Sequence, residues 1–221
     1  MKQATILQLN DLNQHFYKVT AEEFSKTRSF YWKGWGELIE PLKEIGKNHP
    51  QLKVLDIGCG NGRFGEFLWK KSIHKKLVYH GGDNSQELLD FAQQRLGEHS
   101  FEKNLFYLDL INALIKDNLS EVLPQKKYQV ITLFGVLHHI PSQKLRKKLF
   151  SAIEDHLTNG GIFVFTAWRF LNEKRFEKKR QLEKTKIGQK SCAHVVTETI
   201  GENEIAKNIV RPRCHRDNWR K

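Results

Sequence analysis

The feature of this chain that most constrains its fold is a short apolar stretch that runs directly into three alternating glycines. Residues 52–57 are mostly apolar, and Gly58, Gly60 and Gly62 follow them. Glycine allows a sharp turn with positive φ and a close approach between the backbone and a ligand. A helical pattern begins at Arg63, whose N-terminus would offer N–H groups and a partial positive charge to a polar ligand. We therefore predict a buried strand, a ligand-binding turn and a helix, in that order.

Strand-like and helix-like segments alternate through the rest of the central region. Besides residues 52–57, strands are predicted at 77–83, 105–108, 128–134 and 162–166. Repeated strand–helix units favour a parallel sheet that is covered by helices on both faces, with right-handed connections. The predicted fold class is therefore α/β, a doubly wound, mostly parallel sheet of the Rossmann-like type.

Two helices carry sequence signals for their ends or interruptions. Ser85 is predicted to cap the N-terminus of a helix that runs to Leu96, with Gly97 as its stop. A second helical pattern begins at Trp35, and Pro41 predicts a kink or a break within it.

Two classes of cofactor bind at glycine turns of this kind. A dinucleotide site requires Gly-x-Gly-x-x-Gly, and the frame from Gly60 to Gly65 matches it. The frame that begins at Gly58 has Arg63 in the sixth position instead. Asp56, just before the turn, would repel a pyrophosphate but suits the cationic end of a sulfonium cofactor. The pattern D-x-G-x-G-x-G is similar to that of S-adenosylmethionine-dependent methyltransferases.

Further candidate residues follow the later strands. Asp83 ends the second strand, where a carboxylate can accept the hydroxyls of a ribose in either class of cofactor. Asp109 follows the third strand and could hold an adenine amino group, with Leu110 packed on the ring. Phe134 ends the fourth strand, where an aromatic ring could contact a sulfonium. The alternatives are a cap or turn role for the two acids and an ordinary core position for Phe134.

A family resemblance rests on three of these regions. Residues 54–68, 78–92 and 131–142 together resemble the class I S-adenosylmethionine-dependent methyltransferases of the broad type 11 group. The resemblance implies S-adenosylmethionine as the cofactor. It also implies a set of cofactor contacts, namely Asp56, Gly58, Gly60, Gly62, Asp83 and Asp109.

A narrower resemblance rests on short motifs around this core. The motifs at 24–28 (Phe-Ser-Lys-Thr-Arg), 136–142 (Val-Leu-His-His-Ile-Pro-Ser), 167–168 (Ala-Trp) and 216–219 (Arg-Asp-Asn-Trp) are similar to those of the tRNA wobble-uridine methyltransferases. Those enzymes esterify a carboxymethyl group on the wobble uridine of the anticodon. The resemblance implies that Arg28 contacts the cofactor or the substrate. It implies tRNA as a partner and leaves open a small activating protein as a second one.

His138 and His139 are the candidate catalytic residues. If the acceptor is a carboxylate, it is already ionised at neutral pH and needs no base, and the histidines would position it or pair with its charge. If the acceptor is a hydroxyl or an amine, one histidine could be the general base, because an unperturbed imidazole titrates near neutral pH. The alternative for this pair is a capping or packing role.

The charge of the chain favours a polyanionic partner. The formal net charge is +12, and residues 169–190 contain nine Lys or Arg against three Glu. Such a surplus attracts nucleic acid at long range, which favours tRNA as substrate or scaffold. Two alternatives stay open. One is a small-molecule O- or N-methyltransferase with incidental charge, and the other is a non-catalytic methyltransferase-fold protein that activates a partner.

The chain is expected to have three parts. They are an N-terminal helical cap at 1–46, a cofactor-binding methyltransferase core at 47–168, and a basic C-terminal segment at 169–221. The C-terminal segment is either divergent or truncated relative to the resembled family, because the Tyr-rich strand usual there is not found.

Location and metal content are expected from what the sequence lacks. It has no run of about 18 apolar residues and no signal-peptide pattern, so we expect a cytoplasmic protein without a membrane partner. Cys192, His194, Cys214 and His215 fit no common zinc pattern, so no metal site is predicted.

Overall fold

The protein, described over residues 1–124 and 127–167 by a computed structural model, is built around a five-stranded sheet. The strands are β1 (Leu52–Ile57), β2 (Leu77–Asp83), β3 (Glu102–Tyr107), β4 (Tyr128–Leu133) and β5 (Leu157–Phe165). Their order is β3-β2-β1-β4-β5, and every neighbouring pair is parallel. The order reverses between β1 and β4, which is where ligands bind in sheets of this type. The predicted doubly wound α/β fold is confirmed.

Helices connect the strands and extend the chain before β1. Two short 3-10 helices are formed by Lys33–Leu38 and Leu137–His139. The α-helices of the described residues are α1 (Gln3–Thr27), α2 (Ile39–Lys47), α3 (Arg63–Lys70), α4 (Gln86–Gly97), α5 (Leu110–Lys116), α6 (Leu119–Val122) and α7 (Gln143–His156).

The sheet is buried on both faces. Helices α2, α3 and α4 contribute to the core on one face, and α5, α6 and α7 contribute to the core on the other. Side chains of β1 alternate between the two cores: Leu52 and Val54 belong to the first, and Leu55 and Ile57 to the second. Burial on both faces explains why the central strands are nearly continuous apolar runs.

The helix signals in the sequence are partly confirmed. Ser85 caps α4, because its hydroxyl accepts a hydrogen bond from the N–H of Leu88 at 3.2 Å, and α4 ends at Gly97. The predicted break at Pro41 occurs two residues earlier, where the 3-10 helix gives way to α2. Pro41 then lies in the first turn of α2, where proline is tolerated because first-turn N–H groups have no intrahelical acceptor.

The N-terminal region forms a longer helix than the sequence indicates. A helical cap is predicted for residues 1–46, but no helix is predicted within residues 1–33, where α1 extends over 25 residues. Only Ile6, Asn10 and Ala21 of α1 are buried, so no continuous apolar face reveals it. No helix of the described residues is long and apolar enough to span a bilayer.

Several predictions concern parts of the chain outside the described residues. These are the end of the core at Trp168, the basic segment at 169–190, the motif at 216–219 and the four Cys and His residues at 192, 194, 214 and 215. The boundaries of the three expected parts stay predictions.

Candidate functional site

A cavity of about 260 Å³ lies at the carboxyl ends of the strands, beside the reversal in strand order. Its wall is formed by the turn after β1, the ends of β2 and β4, and one face of α1. Two of the eleven predicted site residues, Gly62 and Asp109, lie outside this lining. The other nine line the cavity: Arg28, Asp56, Gly58, Gly60, Asp83, Leu110, Phe134, His138 and His139.

The turn after β1 requires glycine for its conformation. The φ angles are 76° at Gly58, 54° at Gly60 and 72° at Gly62, all in the left-handed region. A Cβ atom added at Gly58 would lie 2.1 Å from Cγ2 of Val136, so no side chain fits there. A Cβ atom at Gly60 would meet no atom nearer than 3.8 Å, in the ring of Phe24. The turn therefore leaves open space above Gly60 that fits a closely approaching ligand.

Close packing is a further reason for glycine at positions 62 and 65. A Cβ atom at Gly65 in α3 would lie 3.0 Å from the ring of Tyr79, and one at Gly62 would lie 3.0 Å from Cβ of Ala92. Both glycines thus allow α3 to pack closely on its neighbours. Left-handed conformations at Gly58, Gly60 and Gly62 alike show that the whole turn, and not only the part from Gly60, depends on glycine.

Asp83 connects the end of β2 to the glycine turn. Its Oδ2 accepts the N–H of Gly60 at 2.8 Å, and its Oδ1 accepts the N–H of Ser85 at 3.0 Å. Burial raises the pKa of this carboxyl, and the hydrogen bonds from backbone N–H groups oppose the rise. A carboxylate has about four lone-pair sites, so acceptor capacity remains for a ribose hydroxyl. The predicted ribose contact fits this position, and the bond to the turn is an additional role.

Asp56 lies beneath the turn with both carboxylate oxygens engaged. Oδ2 accepts the hydroxyl of Tyr79 at 2.7 Å, and Oδ1 accepts the hydroxyl of Thr132 at 2.6 Å. Burial raises the pKa of Asp56 to about 6, against the opposing effect of the two hydroxyls. A cation in the cavity would favour the ionised form. The attraction to a sulfonium stays a prediction, beside a role in the hydrogen-bonded core that the sequence does not reveal.

Asp109 anchors two helices. The N–H and the side-chain amide of Asn112 donate to its two oxygens at 3.0 and 2.6 Å, which caps α5. From α1, Gln14 donates to Oδ2 at 2.7 Å, and Asn10 donates to both oxygens at 3.2 and 3.3 Å. An adenine amino group could reach this carboxylate only by displacing one of these donors. The adenine contact of Asp109 stays a prediction, whereas Leu110 lines the cavity directly.

An aromatic cluster forms the wall at the end of β4. The ring centroid of Phe134 lies 4.9 Å from that of Phe64, 5.6 Å from that of Trp35 and 5.8 Å from that of Trp32. Phe134 is therefore both a packed aromatic residue and a cavity residue, and its contact with a sulfonium stays a prediction.

Two arginines bring positive charge to the cavity. The guanidinium carbon of Arg28 lies 3.7 Å from the ring centroid of Phe24. Arg63, which the sequence analysis did not select, donates from Nη1 to the carbonyl oxygen of Phe30 at 2.6 Å. Burial and the charge of Arg28 lower the pKa of Arg63 to about 10, so it remains a cation at neutral pH. Its position directly after the glycine turn is the signal that could have identified it.

The histidine pair lies in the 3-10 helix that follows β4. The ring centroids of His138 and His139 are 4.0 Å apart, and Nε2 of His139 lies 3.0 Å from the hydroxyl oxygen of Tyr17. Partial burial lowers the pKa of both imidazoles, and His139 further lowers that of His138. Both are therefore mainly neutral at pH 7. Neutral imidazoles can position an acceptor, but they supply no charge to pair with it.

Helix α1 covers the cavity through bonds to three separate loops. Besides the contacts with Asp109 and His139, the Asn61 side chain in the glycine turn donates to the hydroxyl of Ser25 at 3.1 Å. Tyr17, which the sequence analysis did not select, lines the cavity from α1. Its spacing of seven and eleven residues from Phe24 and Arg28 places all three on one helical face. This spacing could have identified Tyr17 only if a helix had been predicted over these residues.

Comparison with known proteins agrees with this site. Residues 55–163 match the protein family described as a methyltransferase domain. A carboxy-S-adenosyl-L-methionine synthase from Desulforapulum autotrophicum is 26% identical over 159 residues, which are 71% of this chain and 59% of that protein. A tRNA (carboxymethyluridine(34)-5-O)-methyltransferase from Arabidopsis thaliana is 23% identical over 152 residues, 69% of this chain and 31% of that protein. The chain thus spans less than two thirds of the length of either relative.

Solved structures also align with the chain. The alignment with an S-adenosylmethionine-dependent methyltransferase from Clostridium acetobutylicum covers 70% of this chain and 56% of that chain, with 26% identity and a TM-score of 0.47. The alignment with a second such methyltransferase, from Thiobacillus denitrificans in complex with S-adenosyl-L-homocysteine, covers 66% of this chain and 54% of that chain, with 20% identity and a TM-score of 0.44.

The family match extends from β1 to β5 and so contains the glycine turn, Asp83 and the histidine pair. The chain therefore contains a methyltransferase domain over residues 55–163.

Proposed function

We propose that this chain transfers the methyl group of S-adenosylmethionine to a carboxylate on a modified uridine in the anticodon of tRNA. The observation that carries the proposal is that two neutral histidines and the cationic residues Arg28 and Arg63 line one cavity. A carboxylate is ionised at neutral pH and needs no base, but it needs cations or donors to hold it.

The chemistry that the residues must support is simple for such an acceptor. S-adenosylmethionine supplies an activated methyl group together with its leaving group. A carboxylate oxygen would attack the methyl carbon while the carbon–sulfur bond breaks, which gives a methyl ester and a neutral thioether without proton transfer. The residues of the chain then have to hold the nucleoside, align the carboxylate and exclude water. Asp83 and the glycine turn suit the first task, and the arginines suit the second.

Two further observations support tRNA as the substrate. The net charge of +12 favours a polyanion. The name of the Arabidopsis relative states a methyl transfer to carboxymethyluridine of tRNA. The proposal includes a small activating protein as a further partner, so activity is to be assayed both with and without cell extract.

The test is methyl transfer itself. The full chain is incubated with S-adenosylmethionine labelled in the methyl group and with total tRNA, and the digested nucleosides are analysed by mass spectrometry. We expect labelled tRNA that releases its label as methanol in mild base, because esters hydrolyse there and N-methyl or ether groups do not. Unmodified tRNA transcripts, which lack the carboxymethyl group, are the matched control and should stay unlabelled.

Other outcomes would contradict the proposal. Base-stable label in tRNA would exclude a carboxylate acceptor, and label only in small molecules of an extract would favour a small-molecule methyltransferase. Cofactor binding without any transfer, even with extract, would favour a non-catalytic role.

A second candidate reaction follows from the relative in Desulforapulum autotrophicum. Its name states the synthesis of carboxy-S-adenosyl-L-methionine, a modified form of the cofactor. Mass spectrometry of the cofactor fraction, after incubation without tRNA but with the small molecules of a cell extract as the source of the carboxyl group, would detect a cofactor in which a carboxyl group replaces a hydrogen.

A further inference from the structure

A hydrogen bond joins the helix over the cavity to the histidine pair. The hydroxyl oxygen of Tyr17 lies 3.0 Å from Nε2 of His139, although the residues are 122 positions apart. Tyr17 belongs to α1 and His139 to the 3-10 helix after β4, and both line the cavity. The bond therefore fixes one of the two residues that are proposed to position the acceptor.

Packing on two sides fixes the direction of the Tyr17 hydroxyl. Its ring centroid lies 5.3 Å from that of Phe24 and 5.6 Å from that of His139, with interplanar angles of 81° and 82°. Edge-to-face contacts at these distances are favourable for aromatic rings. Phe24 in turn carries the guanidinium of Arg28 over its face. The series from Arg28 to His139 is continuous, so the hydroxyl is aimed by its neighbours.

Protonation states indicate which partner donates. Burial raises the pKa of Tyr17 and lowers the pKa of His139, so at pH 7 the phenol keeps its proton and the imidazole is neutral. A neutral imidazole carries its proton on one nitrogen only. Either the phenol donates to an unprotonated Nε2, or an Nε2–H donates to the phenol oxygen. A phenol is the stronger donor of the two and an imidazole lone pair is the stronger acceptor, which favours the first arrangement.

We propose that Tyr17 is a positioning residue that donates to Nε2 of His139 and holds this imidazole as its Nδ1–H tautomer. In that state the Nε2 lone pair is engaged and Nδ1 carries a proton. His139 can then donate a hydrogen bond from Nδ1 but cannot remove a proton from an acceptor. The role of this tautomer in methyl transfer rests on the proposed function, because an ionised carboxylate is a methyl acceptor that needs hydrogen-bond donors and no base.

The tautomer can be measured without any substrate. The full chain is labelled with ¹⁵N-histidine, and the ring nitrogens are observed by NMR at pH 7, with His139 assigned by the signals lost in His139→Gln. We expect Nε2 of His139 to resonate as an unprotonated nitrogen and Nδ1 as a protonated one. In Tyr17→Phe, which keeps the ring and removes only the hydroxyl, these two nitrogens should shift towards the opposite assignment.

The same ¹⁵N spectra provide the control and the results that would overturn the proposal. Tyr107→Phe removes a hydroxyl from an exposed tyrosine outside the cavity lining and should leave the His139 signals unchanged. A wild-type spectrum with the proton on Nε2 would overturn the proposal, and this measurement needs only the His139→Gln spectrum for its assignment. Identical His139 shifts in wild type and Tyr17→Phe would overturn it as well.

Kinetics give a second readout that separates this inference from the proposed function. Tyr17→Phe should lower kcat/KM for the tRNA acceptor by about threefold to tenfold, the range that follows from losing one neutral hydrogen bond. Its affinity for S-adenosylmethionine should change by less than about twofold, which is below the range for the loss of one hydrogen bond. An unchanged kcat/KM would overturn the positioning role. If the wild-type chain transfers no methyl group to tRNA, the proposed function fails, and the NMR result still decides the tautomer.

Discussion

The N–H of Gly60 donates to Oδ2 of Asp83 at 2.8 Å, so the glycine turn and the acid that is predicted to bind the ribose hold each other in place. The sequence places these residues 23 positions apart and predicts a separate ligand contact for each. Because they are bonded to one another, a change in either is expected to alter both the cofactor affinity and the shape of the turn.

Replacement of Asp83 tests this coupling. Asp83→Ala removes the acceptor of the Gly60 N–H and the predicted acceptor of the ribose, so affinity for S-adenosylmethionine should fall at least about tenfold. Isothermal calorimetry measures the affinity. Asp90→Ala, on the exposed surface of α4, is the matched control and should bind normally. Equal affinities in the two variants would remove Asp83 from the site.

The glycine turn should tolerate no side chain at its first position. Gly58→Ala combines a φ of 76° with a Cβ atom 2.1 Å from Val136, which should destabilise the fold by about 2–4 kcal/mol and abolish cofactor binding. Gly97→Ala is the control, since its Cβ would meet nothing within 4 Å, and it should change stability by less than about 1 kcal/mol. Chemical denaturation compares the two, and similar stabilities would contradict the described turn.

The raised pKa of Asp56 predicts a specific pH dependence of stability. Because the folded-state pKa is about 6 and the reference value is 3.8, the folded protein holds this proton more tightly than the unfolded chain. The contribution to stability is complete below about pH 4 and is lost as pH rises to about 6, a change of about 3 kcal/mol. Asp56→Asn lacks this titration, so the stability of the wild type relative to the variant should fall across that range.

Denaturation curves at several pH values make this comparison. A difference between wild type and Asp56→Asn that stays constant from pH 4 to 6 would show that Asp56 titrates normally. The nearby Asp83 and Arg63 act on the pKa of this carboxyl in opposite directions, so their effects are part of the difference that the comparison measures.

The attachment of α1 to Asp109 can be weakened without touching the cavity lining. Gln14→Ala removes a 2.7 Å hydrogen bond to Oδ2 of Asp109 and should lower the free energy of local opening of α1 by about 1–2 kcal/mol. Hydrogen exchange of the α1 amides measures this opening. Gln8→Ala, at an exposed position of the same helix, should leave exchange unchanged, and equal protection in both variants would contradict the anchoring role.

The basic segment is predicted to bind tRNA through its charge. Neutralising Lys178, Lys179 and Arg180 should weaken tRNA binding and reduce the slope of log affinity against log salt by about 2–3. The control neutralises three exposed lysines near the amino end of β2, namely Lys71, Lys75 and Lys76, which lie away from the cavity. Filter binding at several salt concentrations compares the two variants. Equal slopes would show that the segment is not a specific contact surface.

Local patterns in the sequence predict the sheet well. β1 spans the predicted residues, and Ser85 caps α4 as predicted. Both predictions use short sequence patterns, namely a run of apolar residues and a serine three positions before the N–H that it accepts. β5 begins at Leu157 and not at residue 162, since Leu157 pairs with Tyr128 before a register shift that absorbs residues 158–161. A bulge of this kind depends on the partner strand, so residues that resemble a loop can continue a strand.

Long-range contacts explain what the sequence does not reveal about the site. Tyr17 and Gln14 acquire their roles from His139 and Asp109, which are 122 and 95 positions away. The second acceptor bond of Asp56, from Thr132, likewise crosses from β1 to β4. The glycine turn and Asp83, by contrast, are close in sequence and lie at the predicted ends of β1 and β2. The sequence therefore predicts where the glycine turn and Asp83 lie. The position of α1 over the cavity and the contacts of the histidine pair depend on the three-dimensional fold.

The position of α1 before all the loops that it binds has a consequence for biosynthesis. α1 leaves the ribosome before any of the loops that it binds, and His139 is made more than a hundred residues after Tyr17. Contacts of such long sequence separation form late, because the intervening chain must first be ordered. Nascent chains arrested before residue 139 should therefore carry an undocked α1, and the nucleoside-binding cavity should close only when translation has passed β4.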